Sequence, residues 1–171
     1  MPEPLRITGD GLVLREWTSD DLPVMVELFD DPAVAHRTPL VSPFDEAAAR
    51  DYLQAIREGE GKRINLAITT DGLRPLGEIL LSLTRCTIGY AVGAAHRGQG
   101  LAPRATRLLT EYAHTTLGLP RVLLQIEPDN GPSVAVADRL GFRLTDEEPE
   151  HVTGKGGRAY TLLTWAHETD G

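Results

Sequence analysis

The chain is 171 residues long, 41% hydrophobic and 25% charged, which suits one globular domain with a sizeable core. Its formal net charge of −8 argues against a nucleic-acid partner and weakly favours a cationic or amine substrate over an anionic one. Cys86 is the only cysteine, so no internal disulfide can form; with no apolar run of about 18 residues and no apolar leader core in MPEPLRITGD, a cytoplasmic protein without a membrane partner is expected.

GLVLREW (11–17) alternates apolar and polar residues and predicts a half-buried strand. In TSDDLPVMVELFDD, Thr18 and Asp21 have capping-box spacing, and Leu22, Val26 and Phe29 share a helical face. RTPLVSPF reads as loop. Ser42 as N-cap and Pro43 at the first helical position then predict a helix to about Glu58, stopped by Gly59 or Gly61. Three strands follow, RINLAITT (63–70), PLGEILLSL (75–83) and CTIGYAV (86–92), the first closed by Asp71-Gly72. Leu101, Ala105, Leu108, Leu109, Tyr112 and Ala113 form a helical stripe that Gly118 ends. RVLLQIE (121–127) reads as a buried strand, SVAVADRL as a short helix closed by Gly141, and FRLTDE as a strand. PEHVTGKGG reads as a polar, flexible loop before a last strand, RAYTLLTWAHE. The order predicts an α/β domain over 1–171, a mixed sheet with helices packed on it and a right-handed crossover between 86 and 127.

The most informative stretch is His96-Arg97-Gly98-Gln99-Gly100, between a strand and a helix. A helix N-terminus presents unpaired N–H groups and a partial positive charge, and glycines let a ligand approach that backbone closely. This makes an anion site suited to phosphate, to which Arg97 adds a full charge. The same glycines also serve a plain tight turn. Ala102-Pro103 after Gly100 breaks the dinucleotide pattern G-x-G-x-x-G, and no Lys follows to make a P-loop.

Arg97-Gly98-Gln99-Gly100-Leu101-Ala102 resembles the R/Q-x-x-G-x-G/A loop of the GCN5-related N-acetyltransferase (GNAT) family. NGPSVAVADRLGFR (130–143) resembles the family's N-x-x-S/A helix ending in K/R-x-G-F, with Asn130, Ser133, Arg139, Gly141 and Phe142 at matching positions. GLVLREW, PLGEI and IGYAV resemble the branch that acetylates ribosomal-protein N-termini. The resemblance implies a mostly antiparallel sheet of about six or seven strands, with helices on both faces and splayed central strands. It implies acetyl-coenzyme A as cofactor, bound by Val92, Arg97, Gly98, Gln99, Gly100, Leu101, Ala102, Asn130, Ser133 and Arg139. It further implies an amine acceptor, a protein N-terminus or a small molecule, and leaves a homodimer open.

Direct acyl transfer needs an amine that loses a proton, a stabilised oxyanion and a proton donor for the departing thiolate. Many relatives place a Tyr donor seven residues after the motif Asn; here that position is Ala137. Ser133 becomes the donor candidate, although Ser is equally a common N-cap. Asn130 is a candidate for ordering the site, or a turn residue of the Asp-Asn-Gly type. Glu127 and Glu78 are the candidate bases, each of which also reads as a solvated strand-end charge. Gln125 stands where some relatives carry Glu. The five histidines show no paired metal-ligand spacing, and no metal is expected. A non-catalytic acyl-coenzyme A sensor on the same fold is the alternative reading.

Overall fold

The computed structural model describes residues 3–169; Met1, Pro2 and residues 170–171 lie outside the described residues, so the ends of the expected 1–171 domain and of the MPEPLRITGD stretch are not covered. The elements are β1 (Arg6–Gly9), β2 (Leu12–Glu16), α1 (Leu22–Phe29), α2 (Pro32–Arg37), α3 (Glu46–Glu58), β3 (Arg63–Thr69), β4 (Gly77–Ser82) and β5 (Thr87–Val92). Then come α4 (Leu101–Thr115), β6 (Arg121–Ile126), α5 (Gly131–Arg139), β7 (Arg143–Leu144), β8 (Glu150–Thr153) and β9 (Ala159–Glu168).

The sheet runs β1-β2-β3-β4-β5-β6-β9-β7, with β8 paired to β9 off that path. All its pairings are antiparallel except β5–β6, which is parallel because α4 crosses over between them. Alternation along β3 sends Leu66 and Ile68 to one face and Ala67 to the other. The first face packs under α4 and α5, through Leu101, Ala105, Leu109, Ala113 and Ala137. The second packs under α1, α2 and α3, through Met25, Phe29, Val34, Ala49 and Leu53. Two cores on opposite faces hold the sheet rigid between helical layers.

Four details differ from the sequence reading. The described residues form nine strands rather than six or seven, because β1 and β8 also pair. β8 lies within PEHVTGKGG, where Glu150-His151-Val152-Thr153 pairs with Leu162, Thr161, Tyr160 and Ala159; polar residues suit a strand that sits at an edge. The segment 32–37 forms α2, which Asp31 caps by accepting from the Ala33 amide at 2.7 Å, with Pro32 at its start. The helix expected from Ser42-Pro43 starts at Glu46 instead, with Asp45 as its cap at 2.9 Å from the Ala48 amide. Phe44 explains the shift: its ring is fully buried and its amide donates to Asp30, which holds the chain out of the helix until Asp45.

Candidate active site

Divergence of two strands creates the cleft. β5 and β6 pair only at Thr87–Leu123 and Ile88–Leu124, then separate. Beyond that point Tyr90, Ala91 and Val92 line an open space of about 670 Å³. Gly77 fixes that end of β5. A Cβ there would stand 2.6 Å from the Ala91 carbonyl oxygen, so only glycine lets β4 lie this close.

The loop 97–102 and the start of α4 close one end of the cleft. Gly98 and Gly100 take left-handed φ values of 84° and 71°, and Gly100 is the N-cap of α4. The helix has no acidic residue in its first turn, and its leading residues Leu101, Ala102 and Pro103 face the space. The amides of Leu101 and Ala102 and the helix dipole suit an anion there; Pro103 has no N–H to offer. Arg97 lines it too, while its guanidinium pairs with Asp31 at 3.2 Å.

The other wall is α5. Asn130 is its N-cap and accepts from the Ser133 amide, which leaves the Ser133 hydroxyl outside the capping role that was the alternative to its role as donor. The helix therefore starts at Gly131, two residues before Ser133. Tyr90 Oη donates to Ser133 Oγ at 2.9 Å. Burial pushes the Tyr90 phenol up, so it stays protonated and remains a donor. A hydroxyl that accepts this bond has its own proton left to direct elsewhere. Tyr90 is the functional candidate that the sequence reading missed. The signal was available: strand alternation puts Ile88, Tyr90 and Val92 on one face, and Val92 was already assigned to the cleft.

The lining as a whole contains Arg37, His96 and Arg97 but no Asp or Glu. In a chain of net charge −8 this is a local reversal of sign. Both arginines also pair with carboxylates just outside the lining, and the mix of basic, backbone and apolar groups suits a ligand that is anionic in one part and apolar in another.

Comparison with known proteins gives the family. The family description "Acetyltransferase (GNAT) domain" matches residues 11–143. The chain belongs to the GNAT acetyltransferase family. It is 30% identical over 142 residues to an uncharacterized N-acetyltransferase, p20, of Bacillus licheniformis, covering 78% of this chain and 80% of that one. It is 26% identical over 99 residues to the spermidine N(1)-acetyltransferase of Escherichia coli K12, covering 57% of this chain and 53% of that one. The fold is shared with the ribosomal-protein-S5-alanine acetyltransferase of Vibrio fischeri, at TM-score 0.79 and 17% identity over 97% of both chains. It is shared as well with RimL, a ribosomal alpha-N-protein acetyltransferase solved with coenzyme A, at TM-score 0.78 and 18% identity over 97% of this chain and 99% of that one.

Within this GNAT domain the expected site residues divide. Val92, Arg97, Gly98, Gly100, Leu101, Ala102, Asn130 and Ser133 all line the one cleft. Gln99 and Arg139 do not. The Gln99 carbonyl accepts from Arg104, and Arg139 is exposed in the last turn of α5. Neither expected base lines it. Glu127 is buried beside the cleft mouth, where its Oε2 accepts from Arg37 at 2.8 Å and from Arg158 at 2.6 Å. Glu78 is enclosed on the opposite face of the sheet from α4, bonded to Trp17 Nε1 at 2.8 Å and to the Tyr52 hydroxyl. Neither is the solvated strand-end charge that the sequence also allowed: one is neutralised by cations, the other is sealed among neutral donors.

Proposed function

We propose that this protein transfers the acetyl group of acetyl-coenzyme A directly to a primary amine, either a protein N-terminus or a small molecule. The observation that carries this reading is the carboxylate-free, arginine-bearing cleft between the diverging strands, floored by the glycine-led start of α4. Bound there, acetyl-coenzyme A would supply the activated thioester. The residues that would hold it are the 97–102 loop, through amides and Arg97, and the open edge of β5 at Val92, through backbone groups left unpaired by β6.

Asn130 holds the start of α5, and so the position of Ser133. Tyr90 fixes the orientation of the Ser133 hydroxyl by donating to it. Ser133 then presents its proton to the space beside the open strand edge, where negative charge develops as the acyl group leaves. With no carboxylate in the lining, the proton shed by the acceptor amine passes to water at the mouth. Support for an amine acceptor comes from the family and from the N-acetyltransferase names of the relatives.

The test is a panel of amines with acetyl-coenzyme A, read by thiol release. The expected outcome is release above the hydrolytic background with at least one acceptor class. Tight coenzyme binding with no turnover across the panel would establish the sensor reading instead.

A further inference from the structure

Where the end of α2 meets the cleft, the ion pairs are not simple one-to-one forks. Two arginines from distant segments, Arg37 on α2 and Arg158 before β9, converge on a single oxygen, Glu127 Oε2. Arg37 spends Nη1 alone on this bond and on Asp129, at 3.0 Å. Arg158 spends Nη2 alone, on Glu127 and on His36 at 3.1 Å, and its guanidinium lies over the Tyr160 ring at 4.6 Å. Among the described residues the Nε and the remaining Nη of each arginine donate to no protein group. Lys155 adds a third cation close by, but it is committed to the carbonyls of Ala35 and Leu40, which clamps the hairpin tip to the end of α2.

One buried carboxylate needs one guanidinium, and the favourable form is a two-bond fork. Here two guanidiniums share one oxygen by single bonds, so each repels the other and keeps its fork open. Both side chains remain about 30% exposed while Glu127 is at 8%. That geometry favours a second anion, bridging the two forks from the solvent side. Arg37 and Thr38 line the same cleft as Ser133, Tyr90 and Asn130. The coenzyme's own phosphates belong at the other end of α2: Asp31, at its start, is the partner of Arg97, and six helical residues span about 9 Å.

Resting on the amine-acetylation reading above, we infer that Arg37 and Arg158 form an acceptor subsite for an anionic group, so that the preferred substrate is a primary amine carrying a carboxylate or phosphate. Glu127 acts there as a positioning residue that holds the two guanidiniums together. The overall charge of −8 points to cationic acceptors; the charges at this end of the cleft point the other way.

Matched acceptors test this with the full chain and saturating acetyl-coenzyme A: L-leucine against L-leucinamide, and O-phosphoethanolamine against ethanolamine, with spermidine as the cationic arm. The two pairs separate a carboxylate preference from a phosphate one. The anionic member of at least one pair is expected to exceed its neutral partner in kcat/KM by at least about tenfold, and the ratio should collapse towards unity in Arg158→Gln. Arg158→Lys, which keeps the charge but not the fork, should fall between, and thermal melting confirms that each variant is folded. Coenzyme affinity by calorimetry should not change in either variant. A preference for spermidine or the neutral amines, a ratio that survives in Arg158→Gln, or a loss of coenzyme affinity would each overturn the subsite. If no amine is turned over, the amine-acetylation reading fails, and binding of O-phosphoethanolamine to the coenzyme A-loaded protein decides the subsite alone. Arg158-dependent binding upholds it, and its absence overturns it.

Discussion

Glu78 and Glu127 are both buried carboxylates, at 4% and 7% exposure, and their surroundings could hardly differ more. Around Glu78 the partners are neutral: the Trp17 indole, the Tyr52 hydroxyl and, near them, Asn65. Burial dominates, and the Glu78 carboxyl is pushed up to about 7. Around Glu127 the partners are two guanidiniums, which neutralise its charge by ion pairing. The lesson is that burial alone does not make a carboxylate a base. What it is buried against decides whether it stores a proton or anchors cations.

The largest expected effect breaks the comparison on the Glu78 side. Folding raises this group from 4.5 to about 7, so between those values the folded chain takes up a proton that the unfolded chain lacks. Stability should therefore fall as pH rises across that window, by about 3 kcal/mol in total from this one group, and level off above it. Chemical denaturation across the window should show the slope in the wild type and a flatter profile in Glu78→Gln. If a pH–rate limb near 7 also disappeared in that variant, Glu78 would return to the chemistry.

Removing the other carboxylate should cost slightly less. Glu127→Ala takes away the anion that Arg37 and Arg158 share and leaves only the exposed Asp129, on Arg37, a loss of about 2 kcal/mol after allowing for their partial exposure. Denaturant midpoints measure it. Added phosphate should restore part of the loss if the two arginines can share an outside anion, and a variant as stable as wild type would show the cluster to be passive.

The lining of the cleft contains neither carboxylate, so its hydroxyls carry the next prediction. Ser133→Ala should cut single-turnover acetyl transfer by roughly 10- to 100-fold with coenzyme affinity little changed. Because Asn130, not Ser133, caps α5, the same change should leave melting almost untouched. Tyr90→Phe should reproduce part of the rate loss; unchanged rates in both variants would pass the proton role to water. Gly100→Asp, which puts a negative charge into the loop and forces a side chain into left-handed backbone, should weaken coenzyme binding by at least about tenfold, or ~1.4 kcal/mol. The smallest effect is Asn130→Ala, at ~1 kcal/mol of stability for the lost cap, together with slower turnover as Ser133 drifts.

What the sequence disclosed was whatever is written locally. The 97–102 loop was legible because both glycines and the helix they open are contiguous, and the α4 stripe because its period is short. The start of α5 was misplaced by two residues, since Asn130 and Ser133 are both good caps and only the backbone decides between them. The Tyr90–Ser133 bond spans 43 positions and depends on where β5 parts from β6. The Arg37–Glu127–Arg158 cluster joins three segments, and Arg158 stands where the stretch read as loop, 149–157, gives way to the last strand. No spacing rule encodes such a meeting; it follows from the β8–β9 hairpin reaching α2.

The two-pair joint between β5 and β6 also governs how the molecule is made. Strands β1 to β5 are neighbours in the chain as well as in the sheet, so each can close on the last as it emerges during synthesis. β6 can dock only after α4 has crossed over, which makes this parallel seam the late, long-range event. A nascent or truncated chain that stops before β6 holds a five-stranded sheet whose open edge is β5, with Ile88, Tyr90 and Val92 bare of α5. Such an edge is a template for pairing with another copy. The strand separation that admits a ligand in the finished protein is thus, in the unfinished one, the place where chaperone attention and aggregation would both begin.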